Sequence, residues 1–140
     1  MDLLTLLLGG FVVLYIGAYI LKSFMFYRKC VIHEEAGNYI ECEGYVSELL
    51  EEKKKAIQGA LVFQSYPCYR AAYGGSELVY TSVIKRFNIT VGDSVVLLYN
   101  EGSGVLWAKG DMPLLKKQIL LRIFILCALV TALLLSRVLR

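Results

Sequence analysis

The chain has one imidazole, His33, and its four cysteines form no Cys-x-x-Cys pair. These shortages remove most metal-centre and redox chemistries. Cys30 and His33 stand three apart and would share one face of a helix, but no second ligand pair lies at a suitable spacing. A nucleophile paired with His33, from Cys30 or Ser47, lacks an orienting acid and a pocket that the sequence makes visible. The expectation is a chain without catalytic residues, metal or cofactor; a hydrolase or metal site near His33 is the enzymatic alternative. Cys42 and Cys68 fit neighbouring strands, but free thiols in a reducing compartment are the simpler reading. The Gly-rich stretch 100–104 is too short, and too poor in Lys or Ser/Thr partners, to cradle a phosphate. No nucleic-acid motif occurs. The net charge of +3 comes from Lys and Arg gathered beside the hydrophobic ends, not on one folded face.

Formal charge is missing altogether from residues 3–21. As a helix this stretch is about 28 Å long, close to the hydrocarbon thickness of a bilayer. It lacks a basic leader and a small-x-small cleavage pattern, so it is expected to be an uncleaved span. A second apolar stretch, 119–136, is interrupted only by Arg122. Arg122 is expected to snorkel to the headgroups beside Lys116 and Lys117. Lys22, Arg28 and Lys29 follow the first stretch and form the matching collar. Trp107 is placed either at headgroup level or in a core. The basic collars put the middle of the chain in the cytoplasm and both termini outside, in a multi-pass protein of the cell membrane. Small residues favour helix contacts in lipid, so Gly10 and Gly17 are expected to face Ala128 and Ala132 in an antiparallel hairpin. The alternative is that the same faces pair two copies.

Between the spans the pattern changes to short alternating strands. They are expected at 39–50, 61–73, 77–83, 94–99 and 105–109, with Gly74-Gly75 as a hairpin and Val91-Gly92-Asp93 as a turn. Glu48 and the run Glu51-Glu52-Lys53-Lys54-Lys55 read as a solvated turn. The helix begun by the first span continues past Lys22 until Gly37 ends it. The fold class is thus α+β: two transmembrane helices flanking a small antiparallel five-stranded sheet, curled into an SH3-like or OB-like half-open barrel. The boundaries are 1–27 for the first helix and its extension, 28–113 for the β-rich domain and 114–140 for the second helix.

The order of features carries a resemblance. Tyr66-Pro67-Cys68-Tyr69-Arg70-Ala71-Ala72-Tyr73-Gly74-Gly75 is followed by Val91-Gly92-Asp93-Ser94-Val95-Val96-Leu97-Leu98-Tyr99, between two spans. This resembles bacterial membrane proteins carrying the domain of unknown function numbered 3592. The chain departs from that pattern after Tyr99, where Asn100 precedes Glu101 rather than proline. The resemblance implies the two-span architecture and brings no agreed activity.

Tyr66, Tyr69, Tyr73 and Tyr80 lie on strands and fill a core or form a partner-binding face. The expected function is a membrane-anchored, non-enzymatic interaction module that presents its β domain to a protein partner at the cytoplasmic face. The alternative is a small accessory or immunity-type subunit of a transporter, secretion or toxin system, acting through its helices. The expected partners are the lipid bilayer and a protein, or a second copy, and no nucleic acid.

Overall fold

A computed structural model of the chain describes residues 2–57 and 60–139, with the side chains outside 52–63. In order, the elements are α1 (Leu3–Ala36), β1 (Ile40–Ile57), β2 (Ala60–Tyr73), β3 (Ser76–Thr81), β4 (Arg86–Phe87), β5 (Ser94–Asn100), β6 (Val105–Ala108) and α2 (Asp111–Val138). They form two compact units, one of residues 1–28 with 115–140 and the other of residues 29–114.

The first unit is a helix pair. Each helix is long and apolar enough to cross a bilayer, and little or none of either apolar window is buried. Gly9 lies against Leu133, and the Arg122 guanidinium lies over the Tyr19 ring, so the helices run antiparallel. The less exposed positions include Gly9, Val13, Ile16, Gly17 and Ile20 on α1, and Arg122, Leu126, Leu129, Val130 and Leu133 on α2, mostly at three- and four-residue steps. They mark the seam of the pair.

Gly10, Ala128 and Ala132 lie outside that seam, and Gly17 makes no close approach within it. A Cβ at Gly10 or Gly17 would meet nothing within 4 Å, whereas one at Gly9 would come within 3.1 Å of Leu133 Cδ2. Ala128 and Ala132 are exposed. Large side chains on α2 reach across the gap, and only Gly9 gives one of them a recess.

In the second unit α1 ends in a Schellman motif. Asn38 N–H donates to His33 C=O at 3.0 Å and Gly37 N–H to Glu34 C=O at 3.3 Å, with Gly37 at φ 71°. The antiparallel sheet has the order β3-β2-β1-β5-β6, and β4 pairs with β2 off that path. Gly74 and Gly75, at φ 57° and 78°, make the two-residue turn that closes β2 on β3. The two edge strands, β3 and β6, approach each other, so the sheet is curled into a half-barrel.

Two features in β1 make the curl. The register shifts at Ser47, whose Oγ donates to Cys68 C=O at 3.0 Å, an added residue that sharpens the local twist. Gly44 lets β2 come close: a Cβ there would stand 2.8 Å from Arg70 O and 3.3 Å from Leu97 Cδ1. Arg70 O is backbone and cannot swing aside. Gly44→Ala is therefore expected to cost about 1–3 kcal/mol. It should show as a lowered melting temperature of the full chain in detergent; an unchanged melt would contradict this packing.

The charge run is strand rather than turn. β1 continues to Ile57, and Lys53, Lys54 and Lys55 pair with Gln64, Phe63 and Val62. The register shift between Leu50 and Lys53, with Glu51 at φ 52°, absorbs the acidic residues, and the lysines enter a two-stranded ribbon beyond the reach of β3 and β5. The connection at 58–59 lies outside the described residues.

The core fills the concave face with Cys42, Val46, Tyr69, Ala71, Tyr80 and Leu97. β5 and β6 are buried on both faces, because Leu98 and Trp107 are as enclosed as Leu97 and Ala108. The second face is covered from the helix ends. Tyr39 meets Trp107 edge-on at 6.2 Å, and His33 reaches the β5–β6 turn. Trp107 is thus a core residue of the sheet unit.

Candidate functional site

Among the described residues of the second unit the most enclosed charge is Asp111, the first residue of α2, with 0% exposure. A buried carboxylate is tolerated only with donors around it. Ser82 Oγ donates to Asp111 Oδ2 at 2.9 Å, Tyr80 OH donates to the same oxygen at 3.2 Å, and Arg86 Nη2 forms an ion pair with Oδ1. The positive end of α2 adds to this field. Ser82 also accepts from Ile84 N–H at 3.2 Å, so the segment between β3 and β4 is folded around the carboxylate. Tyr69 stacks on Tyr80 at 6.2 Å. Burial, then the Asp111 charge, pushes the Tyr69 phenol up to about 12 and moves the Tyr80 phenol up as well. Both phenols stay protonated, and Tyr80 donates. The arrangement fastens the start of α2 to β3 and β4.

A second cluster surrounds His33. The Asn100 amide is oriented by backbone partners: Ser103 N–H donates to Oδ1 at 2.8 Å, and Nδ2 donates to Asn38 C=O at 2.6 Å. The other Nδ2 hydrogen points at His33 Nδ1, 3.2 Å away, which must accept it. His33 Nε2 then carries the proton and donates to Ser103 Oγ at 3.3 Å, while Ser103 Oγ donates to Asn100 Oδ1 at 2.8 Å. A serine nucleophile needs the opposite arrangement, with a bare ring nitrogen accepting its proton. The ring of bonds ties the last turn of α1 to the β5–β6 turn.

The other thiol and hydroxyl considered with His33 have their own places. Cys30 is buried, and Ser47 is spent on the bulge. All four cysteines are free thiols, Cys42 and Cys68 included. Among the described residues no three His, Cys, Asp or Glu side chains converge as a metal site would require.

The surface feature of the second unit is Tyr45, 48% exposed on the convex face of the sheet. Strand register puts Val79 of β3, Arg70 of β2, Tyr45 of β1 and Ser94 of β5 in one cross-strand row. Hollows of about 420 and 440 Å³ both have Tyr45 in their lining. Arg70 and the exposed Val91 line one hollow, and Glu43 and Val96 line the other. Arg70 is paired with Glu77 at 3.3 Å. An exposed tyrosine and arginine beside valines has the composition of an interface anchor.

The tyrosines singled out by the sequence lie elsewhere. Tyr69 and Tyr80, at 2% and 7% exposure, are core. Tyr73 packs edge-on against Tyr99 at 5.5 Å, and Tyr66 lies under the Lys85 ammonium at 5.3 Å. Strand alternation carried the signal that was missed. If Cys42 and Val46 point inward, Tyr45 points outward with Glu43 and Glu41. In the first unit Lys22, Arg28, Lys116 and Lys117 are exposed, and in the second Lys29 is exposed.

No family model, no curated protein and no solved structure matches the chain.

Proposed function

We propose that this chain is a membrane-anchored, non-enzymatic interaction module of the cell membrane. Its two helices span the bilayer, and its half-barrel, of SH3-like or OB-like kind, faces the cytoplasm and receives a protein partner on the Tyr45 surface. The observation that carries the reading is the Val79–Arg70–Tyr45 row with Val91 beside it, apolar and aromatic groups left exposed on a sheet whose concave face is already filled. The basic collars at Lys22, Arg28, Lys116 and Lys117 support the cytoplasmic placement. The resemblance to proteins with the domain of unknown function 3592 agrees with the plan and adds no activity.

The test is a photo-crosslinking residue at position 45 of the full chain, expressed in its own membrane. A single protein adduct is expected there and none from the exposed Glu101. Tyr45→Ala should reduce partner recovery about tenfold or more, as loss of an interface anchor does. The melting temperature should hardly move, because the side chain is half exposed. No adduct at 45 would end this reading.

The unpartnered small-residue faces around Gly10, Gly17, Ala128 and Ala132 favour a second reading, an accessory or immunity-type subunit that acts through its helices, or pairing with a second copy. An adduct from position 17 with none from 45 would select it.

A further inference from the structure

Arg122 makes no ion pair among the described residues. The sequence contains no Asp or Glu in residues 3–33 or 112–140. Its guanidinium carbon lies 4.2 Å from the centroid of the Tyr19 ring, a cation–π contact that neutralises nothing. Its Nη1 is buried and has no hydrogen-bond partner among the described residues. Beside it Tyr15, Ile16, Tyr19, Arg122 and Ile125 line an open groove of about 280 Å³ between the helices. The walls are apolar except for the guanidinium and the two phenol hydroxyls. Tyr19 is three residues before Lys22, the first charge after the long apolar run. The groove therefore lies where the span meets the basic collar, at the depth of lipid phosphates. A guanidinium in an apolar groove without an anion is costly, and the only anions at that depth belong to the bilayer.

We infer that this groove binds one anionic phospholipid, its phosphate held by Arg122 and its acyl chain laid along Ile16 and Ile125. Arginine suits the role because its planar fork matches two phosphate oxygens at once. The exposed Lys22, Lys116 and Lys117 raise the local concentration of anionic lipid without selecting a site. The inference rests on the reading of α1 and α2 as membrane spans.

The test uses the full chain in detergent, titrated with phosphatidylglycerol or phosphatidylcholine and read by native mass spectrometry. One phosphatidylglycerol should be retained about tenfold more tightly than phosphatidylcholine, the scale of a charge-assisted pair. Arg122→Gln should abolish the preference, and Arg122→Lys should restore part of it. Ile16→Trp should expel the lipid by filling the groove while leaving the charge in place, which guards against a fold defect in the Arg122 variants. Lys117→Gln should change retention less than twofold, as expected for a diffuse collar. Equal retention of the two lipids, or undiminished retention in Arg122→Gln, overturns the proposal. Competition by millimolar inorganic phosphate also overturns it, since the site would then recognise the free anion. Flotation of the wild-type chain with pure phosphatidylcholine vesicles tests the spans separately, so that failure of insertion is distinguished from failure of lipid selection.

Discussion

Asp111→Ala is expected to cost the sheet unit about 3–5 kcal/mol, the range for breaking one partner out of a buried ion pair. The side chain is fully enclosed, and three donors converge on it from Tyr80, Ser82 and Arg86. Removing the carboxylate takes one acceptor from the Tyr80 and Ser82 hydroxyls and leaves the Arg86 guanidinium without its charge partner. The cost is dominated by that unpaired charge and not by the lost attraction. For a unit of this size the melting temperature of the full chain in detergent should fall by more than about 10 °C. Arg86→Met on the Asp111→Ala background should recover part of the loss, because no unpaired charge then remains. If Asp111→Ala melts with the wild type, the carboxylate is not the fastening between α2 and the strands. Asp111 is the first residue of α2, so the pair fastens the start of that helix to β3 and β4 within the second unit.

Local chemistry made much of this fold legible. The charge-free run 3–21, the Gly37 stop, the Gly74-Gly75 hairpin and the Val91-Gly92-Asp93 turn depend on neighbouring residues alone, and the elements around them fall within a residue or two of expectation. β1 was the largest departure. A run of five charges resembles a turn when read by composition, but Lys53, Lys54 and Lys55 are fixed by partners on β2, and pairing overrides propensity. The helix contact departed for a related reason. Small residues mark where two helices can approach, but α2 reaches across with Leu133 and Arg122, so Gly10 and Gly17 were not needed. The two polar clusters were invisible. Asp111 lies 25 to 31 residues from its donors, and His33 lies 67 and 70 residues from Asn100 and Ser103. No periodicity connects such positions; only the strand order brings them together.

Trp107→Ala is expected to be as damaging as Asp111→Ala, at about 3–5 kcal/mol, the usual loss for a fully buried aromatic side chain. Two placements compete for this residue, and they predict different behaviour. A tryptophan at headgroup level spends its indole N–H on water or lipid carbonyls, emits in the red and is open to quenchers. Trp107 instead has 0% exposure, sits edge-on to Tyr39 and leaves Nε1 without a hydrogen-bond partner among the described residues. As the chain's only tryptophan it reports its surroundings without ambiguity. Its emission should be blue, resistant to acrylamide, and unchanged when the detergent is replaced by brominated lipid. Trp107→Phe should cost only about 1–2 kcal/mol, since it removes volume but no satisfied hydrogen bond. The contrast between Ala and Phe is the informative measurement. A headgroup anchor would lose little stability in either variant, whereas a core residue covering the second face of β5 and β6 loses most when the ring is gone and little when a smaller ring replaces it. Quenching by the brominated lipid would return Trp107 to the membrane surface and remove the reason β5 and β6 are buried on both sides.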